Sequence, residues 1–167
     1  MRGAVINNPR GVNPGPPDTA FVFNRRGAAV SVGDVVMLDL GQTATETTGI
    51  AFSDEAGVWA NVVLPATAQL GYGIFAIVSD LMGGAGADNT LIQVTFVSPA
   101  ITANVTGTAA LYETCTAVNA ADTLAAATGT GGQKIVGIAL TTTAGAGELP
   151  ATIMFDGWHG FGQSNEA

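Results

Sequence analysis

The sequence predicts an all-β chain: a single β-sandwich or barrel-like domain with an extended N-terminal arm. Three observations point there. No segment sustains a helical stripe of apolar residues. Short runs rich in Val, Ile, Thr and Phe recur instead, separated by Gly, Asn, Asp and Pro at intervals of roughly eight to twelve residues. Charged residues make up only 11% of the chain and hydrophobic residues 47%. Gly, Ala and Thr fill the difference, giving a neutral, small-featured surface that suits cover by other copies or by a partner.

The elements follow in order. Residues 1–19, MRGAVINNPRGVNPGPPDT, form the arm, because their Pro, Gly and Asn leave little scope for helix or sheet and Pro16-Pro17 favours an extended path. Residues 20–167 form the β domain with a short C-terminal tail. Its first predicted strands are Ala20–Asn24, Ala28–Val32 and Val35–Leu40. In the third, apolar residues occupy both alternating sets, which predicts burial on both faces. Gly41–Gly49 is read as a polar loop, Ile50–Phe52 as a strand, and Ser53–Gly57 as a hairpin turn into a strand at Val58–Leu64. Tyr72–Asp80 is the most apolar strand, and Thr90–Val97 is stopped by Pro99. The runs ITANVT and ALYETCTAV read as strands, while Leu124–Ala127 reads equally as a helical turn or a short strand. KIVGIAL and ATIMF close the domain as a hairpin, with Ile135, Ile138 and Leu140 facing Ile153 and Phe155 in the core. No internal repeat of fixed period stands out.

Charge and cysteine usage exclude several classes. Five Lys and Arg against thirteen Asp and Glu give a net charge of −8. The only cationic cluster is Arg25-Arg26, so a nucleic-acid partner is not expected. Leu70–Val78, the longest apolar stretch, is too short to span a bilayer. One Cys allows no internal disulfide, and MRGAVINNPRG lacks the apolar run of an export signal. A soluble intracellular or virion protein is the expectation.

Reactive groups are few. Cys115 and His159 are the only thiol and imidazole, so a catalytic dyad or triad, or a zinc site within one chain, has almost nothing to draw on. Gly83–Leu91, GGAGADNTL, resembles one calcium-binding nonapeptide with Asp88 as the ligand, but a lone copy lacks its second layer. Asp54 and Glu55 are adjacent with nothing to join them. GTGGQK at Gly129–Lys134 lacks the ending of a phosphate loop. No enzyme activity, metal or cofactor is expected.

Two stretches carry a family resemblance: VSVGDVVMLDLG and IVGIALTTTAGAGELPATIMFDG, with GVWANVVLP and GYGIFAIVSD in the same style. Over residues 28–157 the chain resembles the capsid decoration (cement) proteins of tailed bacteriophages. The resemblance implies a virion protein assembled in the host cytoplasm. It would be a homotrimer on the outer surface of the head, seated where major capsid proteins meet and reinforcing the shell against internal DNA pressure. An N-terminal arm would tie neighbouring capsomers. Arg2, Val5, Ile6, Arg10 and Val12, with Arg25 and Arg26, are the expected capsid contacts, weakened by salt. Trp158 and Phe161 are the expected contacts between subunits. A tail, baseplate or receptor-binding fibre component is the alternative.

Overall fold

The structure, a computed structural model, describes residues 18–39, 58–128 and 132–164. Among these residues the chain forms strands β1 (Thr19–Asn24), β2 (Val35–Leu38), β3 (Val58–Val63), β4 (Phe75–Asp80), β5 (Leu91–Thr95) and β6 (Val97–Thr106). They continue with β7 (Thr114–Ala117), β8 (Leu124–Ala126), β9 (Lys134–Ala139), β10 (Glu148–Asp156) and β11 (Gly162–Gln163). One 3₁₀ turn, Thr67–Gln69, precedes β4. The all-β, barrel-like expectation holds.

β1, β3, β2, β4 and β5 close a barrel in that order. β10, β6, β8, β7 and β9 follow one another in the second sheet, and β10 also pairs with β9, so this sheet returns on itself as well. β11 is added at the far side of β9. The two circuits have one topology. In the first, β1 pairs with β3 in parallel and every other contact is antiparallel. In the second, β6 pairs with β8 in parallel and every other contact is antiparallel.

The registers also coincide. Val35↔Ile77 and Val36↔Ala76 in the first barrel match Thr114↔Ile138 and Cys115↔Gly137 in the second. Leu38↔Val62 matches Ala117↔Leu124, and Val78↔Val94 matches Ala139↔Ile153. Val22↔Ile92 matches Ala103↔Ala151. The chain is therefore a structural duplication. The sequence conceals it because equivalent inward positions hold different residues. Val22, Val36, Leu38, Val78 and Ile92 in the first barrel become Ala103, Cys115, Ala117, Ala139 and Ala151 in the second.

The smaller residues have a physical reason. The first barrel has its own core, including Val22, Val36, Leu38, Val62, Ile92, Val94 and Phe96. The second core is shared: Val35, Met37, Phe75 and Ile77, from the alternate face of β2 and β4, cluster with Leu124, Ile153 and Phe155. Large side chains entering from the first barrel occupy volume that the second barrel's own strands leave open. This also explains why all of β2 is buried, as its two apolar sets predicted: Val36 and Leu38 fill one core, Val35 and Met37 the other.

Several expectations need correction. Ala28–Val32 is irregular rather than a strand, because Asn24 Nδ2 donates to the Ala28, Gly86 and Ala87 carbonyls and Val30 N–H donates to the Gly86 carbonyl, holding this segment against the β4–β5 loop. Pro99 does not end a strand but lies within β6, and the chain bends at Phe96 instead. Leu124–Ala126 is a strand. The closing hairpin is present as β9 and β10, and Ile153 and Phe155 are buried in it. The phase of β9 is reversed, however. Val136 and Ala139 are buried while Ile135 and Ile138 are half-buried, and the β7–β9 register shifts between Cys115 and Thr116. The predicted strand Ile50–Phe52, the turn at residues 53–57 and most of the arm lie outside the described residues; β1 itself begins at Thr19.

The end of β10 returns to the first barrel. Gly157 N–H donates to the Phe96 carbonyl (2.8 Å) and Phe75 N–H donates to the Gly157 carbonyl (3.1 Å). A Cβ at Gly157 would lie 1.8 Å from the Phe75 carbonyl oxygen, which no side chain rotation relieves. Gly157→Ala is expected to cost about 3 kcal/mol and to lower the Tm by roughly 6–12 °C. A Tm within about 2 °C of wild type by calorimetry would contradict this packing.

Candidate functional site

The best-formed exposed feature is a turn, and its meaning comes from a copy of it seated between the two barrels. Ser31–Asp34 leads into β2. Asp34 N–H donates to the Ser31 carbonyl (3.1 Å), and Asp34 Oδ2 accepts from Ser31 N–H (2.8 Å). Gly33 N–H donates to Val78 C=O, and Val78 N–H donates to Asp34 C=O, both at 2.9 Å. Gly33 has φ +98°, the left-handed region that glycine enters without strain.

Ala110–Glu113, leading into β7, repeats this bond for bond. Glu113 N–H donates to Ala110 C=O (3.1 Å), and Glu113 Oε2 accepts from Ala110 N–H (2.6 Å). Tyr112 N–H donates to Ala139 C=O (2.7 Å), and Ala139 N–H donates to Glu113 C=O (2.9 Å). Where the first turn has Gly33, the second has Tyr112, at φ 65°. A bulky residue held there carries strain that the surrounding bonds must hold in place.

The first turn is the joint between the barrels. Asn104 N–H on β6 donates to Gly33 C=O (2.9 Å), and Val35 N–H donates to Asp122 C=O (2.7 Å) just before β8. Asn104 Nδ2 donates to Asp34 Oδ1 (2.9 Å). Arg26 Nη1 lies 3.2 Å from Asp34 Oδ2 and 2.7 Å from Asp122 Oδ2. Burial pushes the Asp34 carboxyl above its usual range. The Ser31 N–H and the Arg26 charge oppose that shift, and the Asp122 charge reinforces it.

The second turn is exposed at its tip. It presents Leu111, 48% exposed, and Tyr112, 71% exposed. It is nonetheless rigidly mounted. Thr143, from the TTTAGAG turn of the closing hairpin, exchanges bonds with Ala109 in both directions, and its hydroxyl donates to Gly107 C=O (3.0 Å). A bland hairpin turn thus serves as the buttress of an apolar platform.

The residues singled out from sequence fall elsewhere. Arg25 and Arg26 do not form an outward cationic patch. Arg25 is buried, its guanidinium 5.5 Å from the Phe23 ring centroid and bonded to Asn89 Oδ1, and Arg26 is held by the two aspartates. Lys134 is buried too, its Nζ donating to the carbonyls of Gly73, Gly157 and Trp158. Every Lys and Arg among the described residues is engaged inside the chain, while Asp18, Asp80 and Glu148 are exposed. Such pairing is spatial and left no sequence signal. Trp158 packs within its own chain, its ring 5.1 Å from Phe96 against the first core, whereas Phe161 is exposed. Arg2, Val5, Ile6, Arg10, Val12, Asp54 and Glu55 lie outside the described residues.

The remaining reactive groups do not assemble. Cys115 is buried, and burial with the nearby Glu113 charge pushes its thiol up to about 11. His159 is exposed and faces Asp156 at 3.5 Å. Asp88 accepts from Gly27 N–H (3.0 Å) and Asn89 Nδ2 (2.9 Å), so both its oxygens clamp turns. No group of three or more metal-ligating side chains occurs among the described residues.

The joint gives a pH prediction. Folding raises the Asp34 pKa above its ordinary 3.8, so the folded state holds this proton more tightly than the unfolded chain does. The resulting stabilisation is complete below 3.8 and is lost as pH rises through the folded value. The stability of wild type relative to Asp34→Ala should therefore increase as pH falls from about 7 to about 4. A difference in urea unfolding free energy that shrinks over that range would contradict the assignment.

Comparison with family models, curated proteins and solved structures found no match to this chain.

Proposed function

We propose that this chain is a structural virion protein of a tailed bacteriophage that binds the outer surface of the head and stabilises the capsid lattice as a homotrimer. The observation that carries the reading is the mounted apolar turn at Leu111–Glu113, a surface built for contact on a chain whose described reactive groups are buried, clamped or apart. The family resemblance supports it from another side. VSVGDVVMLDLG contains the joint turn and β2, and IVGIALTTTAGAGELPATIMFDG contains all of β9 but its first residue, β10 and the Thr143 buttress. The first of these stretches builds the Ser31–Asp34 turn, and the second braces the segment before its copy through Thr143.

The mechanism is mass action. A protein that binds the intact shell and not its broken form shifts the equilibrium toward the intact form. Several copies of one contact, linked in an oligomer, multiply weak attachments into a strong one. The contact is apolar, because the described cations are turned inward. Salt should therefore change binding by these residues little, in contrast to the salt-sensitive arm that the sequence predicts.

The test adds purified protein to expanded heads assembled from the major capsid protein encoded in the same genome. Saturable binding and a higher disruption temperature of the heads are expected. Binding to isolated tails or to glycans without head binding would transfer the role to the tail or fibre. Absence of saturable binding to any virion part would overturn the reading.

A further inference from the structure

The duplication carries an inference that does not rest on the capsid reading. The chain builds one turn twice. The Ser31–Asp34 turn of the first barrel is seated against β6 and the start of β8, through Gly33 with Asn104 and Val35 with Asp122. Its copy, Ala110–Glu113, has the same internal bonds but leaves Leu111 and Tyr112 exposed.

The receiving face is duplicated as well. β6 is the equivalent of β1, since Ala103↔Ala151 matches Val22↔Ile92. The burial of successive residues from Thr19 to Asn24 is repeated from Ala100 to Val105. Thr102 and Asn104 thus correspond to Phe21 and Phe23. Asn104 receives the turn inside the chain; Phe21, 38% exposed, and the half-buried Phe23 occupy the same place on the first barrel.

The substitutions match across the two joints. Inside the chain, Gly33 and Asp34 meet the amide of Asn104. At the free ends, Leu111 and Tyr112 stand in place of Val32 and Gly33, and Phe21 and Phe23 stand in place of Thr102 and Asn104. At the contact itself Tyr112 replaces Gly33 and Phe23 replaces Asn104, while Leu111 and Phe21 replace the exposed Val32 and Thr102 and Glu113 keeps the acid of Asp34. β1 and β3 are zipped from Phe21 to Asn24, whereas β6 and β8 share only Val105↔Leu124. A turn seated at the equivalent place on the first barrel would therefore meet a closed, aromatic face rather than enter between strands, with side chains in place of the backbone bonds of the internal joint.

We infer that copies of this chain associate head to tail, with the Leu111–Tyr112 turn of one copy packed on the Phe21–Phe23 face of β1 in the next. The contact is heterologous: its two halves are different surfaces, so it continues from copy to copy and closes as a ring where the rotation allows. It repeats between chains the order in which the two barrels follow each other within one.

Two variants test this without touching either core. Tyr112→Gly restores the residue found at the equivalent position, Gly33, and removes the strained φ, so its Tm should equal or exceed that of wild type. Phe21→Ser alters only the receiving face. Sedimentation equilibrium should show wild type above the 16.7 kDa of one chain. Each variant alone should associate about tenfold or more weakly than wild type. Mixed together, the two variants should form a dimer, because Phe21→Ser keeps an intact turn and Tyr112→Gly keeps an intact face. Wild type that stays monomeric at about millimolar concentration would overturn the inference. So would variants that associate like wild type, or a folded variant that pairs with itself while the mixture gains nothing.

Discussion

The fold depends on one turn being seated in a sheet that is not its own. Gly33 and Val35 bond Asn104 and Asp122 of the second barrel, beside the place where β6 and β8 hold a single paired position. Without that turn the second barrel is weakly closed on this side, and its small inward residues leave a core that Val35, Met37, Phe75 and Ile77 must complete. The second barrel is thus specified partly by the first. A duplicated unit whose copies share a core cannot diverge freely: the inner residues of one become small where those of the other reach in. This is why the chain behaves as one β body with two centres.

Charge follows from the same constraint. The joint buries Asp34 beside Arg26, with Asp122 sharing the guanidinium. A buried carboxylate is tolerated only where donors satisfy it, and here a backbone N–H, an amide and a guanidinium all converge on it. Lys134 plays a comparable part at the other crossing between the barrels, joining Gly73 before β4 to Gly157 and Trp158 after β10. Of the described cations, Arg26 and Lys134 hold the two barrels together and Arg25 is buried within the first, which leaves the described surface to acids, small residues and a few presented aromatics.

Local patterns were legible in the sequence, and relations between distant segments were not. Two apolar sets in VVML announced burial on both faces, and β-branched runs located β3, β4, β5, β9 and β10 to within a few residues. The irregular path of Ala28–Val32 was hidden because Asn24, whose amide reaches Gly86 and Ala87, decides it across the sequence. The phase of β9 was hidden by the register shift opposite Gly137. Arg25 and Arg26 read as surface charge, since nothing local marks Asn89, Asp34 and Asp122 as their partners. The duplication was invisible because Val, Leu and Ile in one core face Ala and Cys in the other; only hydrogen bonds and register reveal it. The platform's clue lay in the TTTAGAG turn, whose Thr143 is buried amid exposed neighbours.

The central claim is that one docking device is used once within the chain and once between chains. Hydrogen exchange read by mass spectrometry at a concentration where wild type associates tests it most directly, comparing wild type with Tyr112→Gly. Head-to-tail docking predicts slower exchange in wild type at both the β1 segment, Thr19–Asn24, and the turn, Ala110–Glu113, with no change at the internal joint of Val35 and Asn104. Slowing at the turn alone, or equal exchange of the two proteins at both segments, would contradict it.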